Sequence, residues 1–175
     1  VQMRPMPRGS LNALKLIQGL EPDQLGGKAG FDSGALHVKA VGINFRDVLN
    51  VLGAYPGDPG PPGSDCAGIW AATLHDITAG DCAFGFAPGC MSTMVNAYMP
   101  MMPPKTPTLS FESVSTVPTV FVTVQMTLTQ ASRMGPKDSL LLHAAAGGVG
   151  LAGLQLSAPL GCTTMGTAGG ANKRS

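Results

Sequence analysis

Along the chain, hydrophobic positions follow several periods in turn, and each period predicts an element. "GALHVKAVGI" alternates over Leu36, Val38 and Ala40, the two-residue period of a half-buried strand. "NFRDVLNVLG" follows with Phe45, Val48, Leu49 and Leu52 at helical spacing, closed by Gly53. Upstream, "LNALKLIQ" reads as a weak strand and "PDQLGGKAG" as a loop. Downstream, the proline-glycine loop "AYPGDPGPPGSDCAGI" leads into a strand, and "GDCAFGFAPGCMSTMVNAYM" holds two or three short β pieces between glycine turns. Short strands so punctuated predict a small β-barrel or sandwich over residues 1–102.

The pattern changes in "MPPKTPTLSFESVSTVP", so a boundary is drawn between Met102 and Ser110 and a second part is assigned to residues 103–175. Ser110 ahead of Phe111 and Glu112 starts a helix in near capping-box fashion. "VSTVPTVFVTVQMTLTQAS" is read as helical, with Pro118 in a first turn or at a kink, although its β-branched residues favour strand. "GPKDSLLLHAA" is a short buried strand after a Gly-Pro turn, "GGVGLAGLQLSA" a helix and "CTTMGTA" a second strand. Strand, glycine turn, helix and strand make the first half of a mononucleotide-binding unit, and the fold class is α/β.

The glycine turn is the clearest candidate for chemistry. Ala144, Gly147 and Gly150 stand three apart, an AxxGxxG variant of the dinucleotide fingerprint, with Gly148 and Val149 between the last two. Small residues there let a pyrophosphate approach the backbone amides at a helix N-terminus, where the dipole favours an anion. The end of the second strand should face the adenosine ribose. "AGGANKRS" offers Lys173 and Arg174 and no acid, which favours NADP over NAD, with a solvated basic tail as the alternative.

Composition narrows the partners. Only 12% of the 175 residues are charged and 44% are hydrophobic, against a usual charged share of ~25%. So little charge predicts that part of the surface is covered by further polypeptide or a larger assembly. A net charge of +1 argues against nucleic acid. No run approaches the ~20 apolar residues of a transmembrane segment, and no signal-peptide order is present. The chain opens on Val1 rather than Met, as a processed or trimmed chain would, and the sequence names no compartment. Cys66, Cys82, Cys90 and Cys162 are too scattered for a zinc site, so no metal is expected and the thiols are read as buried and reduced.

"VGINFRDVLNVLGAYPGDPGPPGSDCAGI" together with "HAAAGGVGLAGLQL" resembles the enoyl reductase domain of polyketide and fatty acid synthases, in the zinc-independent, quinone-oxidoreductase-like branch of the medium-chain dehydrogenases/reductases. The resemblance implies a GroES-like β-barrel substrate domain followed by a Rossmann domain, here incomplete. It also implies NADPH-dependent reduction of an α,β-unsaturated acyl thioester, with hydride added at Cβ and a proton at Cα. By position, Asn44 would line the nicotinamide pocket, where zinc relatives have a metal ligand; it is equally placed to cap a helix. Arg46 and Asp47 would fix the following loop as an ion pair or cap. Tyr55 matches a candidate proton donor, or else packs under the proline loop. Thr123 matches a threonine near the nicotinamide, or back-bonds within its helix. The chain departs from the pattern at Cys82-Ala83, where an Arg-Val pair is usual, and at Val124, Gln125 and Met126, where aromatic residues are common. Pro159 falls in the last turn of the glycine-loop helix. The family's later lysine and acid have no counterpart before Ser175, so these 175 residues alone are expected not to turn over an enoyl thioester. The alternative is a non-catalytic accessory subunit of a larger assembly, such as a respiratory or photosynthetic complex, derived from a truncated reductase.

Overall fold

A computed structural model describes residues 1–19 and 32–170. The loop expected at "PDQLGGKAG" lies outside the described residues, as do Lys173 and Arg174. The chain divides into two compact units, Val1–Pro118 and Thr119–Ser175.

In the first unit, β1 (Gln2–Pro5) pairs antiparallel with β2 (Leu14–Ile17), and a 3-10 turn at Leu11–Ala13 stands between them. A four-stranded antiparallel sheet has the order β5-β4-β3-β6, from β3 (Ser33–Gly42), β4 (Asp65–Trp70), β5 (Cys82–Phe86) and β6 (Met94–Tyr98). The alternation in "GALHVKAVGI" has its expected result: Leu36 is buried, while His37 and Lys39 are exposed. The core gathers Leu36, Cys66, Trp70, Ala83, Val95 and Met102. Helix α1 (Phe45–Val51) leaves β3 directly, and Gly53 at φ +68° takes the chain out of it.

Helix α2 (Phe111–Ser115) begins at Ser110, whose hydroxyl accepts the Ser113 amide. It packs on β3, β4 and β5 and buries Val114 and Ser115. A Cβ on Gly42 would collide with the Ser115 carbonyl, so the helix lies against the bare backbone of the strand. This packing puts the division at Pro118–Thr119, later than the composition change between Met102 and Ser110.

Helix α3 (Pro118–Gln125) begins at the division and, in the second unit, runs on into a π-helical segment, Met126–Ala131. The β-branched run is helical because Pro118 occupies a first turn and because Val124 and Leu128 pack with Ala152. Strands β7 (Ser139–Leu142) and β8 (Thr163–Gly166) are parallel, with α4 (Gly148–Leu160) between them in sequence. Pro159 is accommodated because α4 ends almost at once, at Gly161 in the left-handed region. The expectation that β7 is buried holds for one face only. Leu140 packs into the core beneath α4, whereas Leu141 and Met165, paired in register, are both 52% exposed.

Candidate functional site

The sequence-predicted residues fall into two groups, one in each unit. In the first, Asn44 is the N-cap of α1 and forms a capping box with Asp47. The Asn44 amide donates to Asp47 Oδ2 at 2.9 Å, and the Gly63 amide donates to Asp47 Oδ1 at 2.8 Å. Asp47 is 4% exposed, so its carboxylate ties the proline-glycine loop to the start of the helix from a buried position. Arg46 takes a different part and makes no ion pair with Asp47 among the described residues. Its guanidinium lies 5.3 Å from the centroid of the Tyr55 ring and donates to Pro59 O at 3.5 Å. Tyr55 is half-buried, and its amide donates to Leu49 O at 3.2 Å, at the end of α1. Ile43 (73% exposed) and Phe45 (74% exposed) flank Asn44 with apolar surface.

Arg8 fastens the tip of the same loop. Its Nε donates to Asn50 Oδ1 at 3.1 Å, and its Nη2 donates to Gly60 O at 2.9 Å and Asp58 Oδ1 at 3.4 Å. The Gly60 amide and the Arg8 charge hold the Asp58 carboxyl below its ordinary range. Tyr55 therefore leaves α1 on a loop held at Gly60 and Gly63.

In the second group, β7 delivers the chain into the glycine turn. Ala144 stands at the first glycine position with φ +54°, a region that costs a non-glycine residue roughly 1–2 kcal/mol. The Gly147 amide donates back to Ala144 O at 2.8 Å, the Ala145 amide donates to Thr167 O at 2.9 Å, and Gly147 is the N-cap of α4. A Cβ on Gly150 would lie 2.5 Å from both Ala144 O and Ala145 Cα, so only glycine lets the helix seat against the turn. Gly147, Gly148 and Val149 are exposed, and the first turn of α4 carries no acidic side chain. The N-terminal amides of such a helix have no partner within it and suit the pyrophosphate of a dinucleotide. The residues present fit that group. Thr123 is exposed on α3, and its carbonyl accepts the Thr127 hydroxyl at 2.7 Å; the back-bonding hydroxyls are those of Thr127 and Thr129.

His143 and Thr167 are not among the residues that the sequence motifs single out. The structure joins them across the ends of the two parallel strands, with His143 Nδ1 3.2 Å from Thr167 Oγ1. A histidine closing one strand and a threonine closing the next is the pattern that would have found them.

Among the described residues, no cluster of three or more His, Cys, Asp or Glu could hold a metal ion. The cysteines are unpaired. Cys66 and Cys90 are buried as expected, but Cys82 and Cys162 are only half-buried. The hydrogen bond that the Cys90 thiol donates to Cys66, together with burial, pushes Cys90 well up, which keeps it protonated. No helix among the described residues is long and apolar enough to cross a membrane.

No protein-family model matches the chain. It is 35% identical over 175 residues to the pikromycin polyketide synthase component PikAII of Streptomyces venezuelae, which covers 95% of this chain and 4% of that protein. Other curated relatives are also polyketide synthases. The CurK enoyl reductase superposes with a TM-score of 0.86 at 28% identity, over 98% of this chain and 55% of that one. The quinone oxidoreductase of Thermus thermophilus, solved also as its complex with NADPH, gives 0.80 at 27% identity, over 98% and 54%. The chain thus spans about half the length of these reductases and a small part of the synthases. These likenesses bear out the resemblance to polyketide synthase enoyl reductases and the α/β fold class, a GroES-like part followed by part of a Rossmann fold. They do not favour the accessory-subunit alternative.

Proposed function

We propose that this segment, similar as it is to polyketide synthase components and to an enoyl reductase, serves the NADPH-dependent reduction of an α,β-unsaturated acyl thioester. The observation that carries the reading is the glycine turn from Ala144 to Gly150. It joins a parallel strand to a helix N-terminus with exposed glycines and no acidic residue in the first turn. NADPH, when bound, supplies the hydride for the β-carbon.

Each residue then has one task. The backbone of Gly147, Gly148, Val149 and Gly150 holds the pyrophosphate. Lys173 and Arg174 pair with the 2'-phosphate. Thr123 is the candidate nicotinamide contact in the second unit; in the first, the candidate is Asn44, held by its capping box with Asp47. The Tyr55 hydroxyl gives its proton to the α-carbon. The exposed Ile43 and Phe45 offer apolar surface to an acyl chain. The acyl thioester substrate and a larger multidomain assembly are the partners this reading implies.

The test is cofactor preference, measured by fluorescence titration of NADPH and NADH against the protein and its Lys173→Ala/Arg174→Ala variant. NADPH should bind more tightly to the wild type, and the variant should lose that advantage while its NADH affinity is nearly unchanged. Equal losses for both cofactors would refute the assignment of the basic pair.

A further inference from the structure

Thr167, one residue past β8, holds the glycine turn with three of its groups. Its amide donates to Leu142 O at 2.9 Å, its carbonyl accepts from the Ala145 amide at 2.9 Å, and its Oγ1 meets both the Ala144 amide (3.4 Å) and His143 Nδ1 (3.2 Å). The Ala144 amide can only donate, so Oγ1 accepts there and keeps its proton and a second lone pair for Nδ1. When the hydroxyl donates to Nδ1, the neutral imidazole carries its hydrogen on Nε2. His143 is exposed and directly follows β7, at the point where the chain enters the turn.

We infer that His143 is a further contact residue of the dinucleotide site, donating Nε2–H to a phosphate oxygen of the cofactor, and that Thr167 is the positioning residue that sets its tautomer and ring orientation. This rests on the reading of the turn as a dinucleotide site. The same threonine hydroxyl also steadies Ala144 in its left-handed conformation, so the donor and the turn are held by one group.

Two readouts test this. The first needs no nucleotide: ring-nitrogen NMR shifts of His143 at about pH 8, where an ordinary imidazole is neutral. An acceptor-type Nδ1 and a protonated Nε2 are expected, and the preference should be lost in Thr167→Val and kept in Thr167→Ser. The second is NADPH affinity by fluorescence titration. Removing a hydrogen bond to a charged group should weaken binding about tenfold or more in His143→Ala. His143→Gln, which keeps an N–H donor near the Nε2 position, should recover part of the loss. Thr167→Val should lose affinity as well, and adding it to His143→Ala should cost less than the sum of the single losses, because the threonine acts partly through the histidine. A His143 ring protonated on Nδ1, or His143→Ala binding NADPH as tightly as the wild type, would overturn the assignment alone. Failure of the wild type to bind NADPH would remove the dinucleotide reading and this inference with it.

Discussion

Replacing Gly150 with alanine puts one methyl group where the Ala144–Ala145 backbone already stands. The added Cβ would lie 2.5 Å from Ala144 O, 2.5 Å from Ala145 Cα and 2.6 Å from Ala145 C. None of these is the end of a flexible side chain, so relief needs α4 or the turn to move. Overpacking of this kind costs about 1–3 kcal/mol. Against it stands the helix propensity of alanine over glycine, a gain of about 1 kcal/mol. The steric term wins, because the contacts are far inside van der Waals distance and Ala144 is already in an uncommon conformation. Gly148→Ala is the matched control, since its Cβ would meet only Val120 Cγ1 at 3.4 Å, an ordinary contact. Hydrogen exchange of the β7 and α4 amides reads the second unit by itself. Gly150→Ala should speed exchange there by roughly fivefold or more, while Gly148→Ala should leave it unchanged or slow it. Both variants should weaken NADPH binding, the first by displacing the turn and the second by placing a methyl on its exposed face. Unchanged exchange in Gly150→Ala would refute the close-packing argument.

Asp47→Asn replaces a buried acceptor of two backbone amides, and the misplaced NH2 should lower stability by about 1–3 kcal/mol in urea denaturation; an unchanged midpoint would show that the Gly63 tether is not needed. The depressed Asp58 carboxyl should add stability that is present above its unfolded pKa and lost as pH falls through its lower folded value. Acid titration of the wild type should therefore show a loss that Asp58→Asn does not share, and parallel curves would contradict the Arg8–Gly60 arrangement. Purified protein should contain no stoichiometric zinc by elemental analysis, since the described residues bring together no cluster of three or more His, Cys, Asp or Glu; one zinc per chain would refute this.

The features legible in the sequence are those carried by local period and turn chemistry. The alternation around Leu36 and Val38, the helix after Asn44 and the strand-glycine-helix order at Ala144 each depend on near neighbours. The packing of α2 on the sheet was not legible, because the approach of Ser115 to Gly42 joins residues far apart in the chain. The exposed Leu141–Met165 face was missed for a related reason, since three leucines in a row look the same whether one face or both are covered. The π-helical segment at Met126–Ala131 carries no proline or glycine to announce it. In the candidate site, the glycines were evident from their spacing. Arg46 over Tyr55 and His143 beside Thr167 were not, because those pairs arise from loop closure and strand register.

The most direct test of the central claim is the site of NADPH binding on the protein, followed by amide NMR during titration. One NADPH should bind per chain, with the largest shifts at Gly147, Gly148, Val149 and Gly150 and smaller ones at Thr167. No saturable binding, or shifts confined to residues away from the glycine turn, would contradict it.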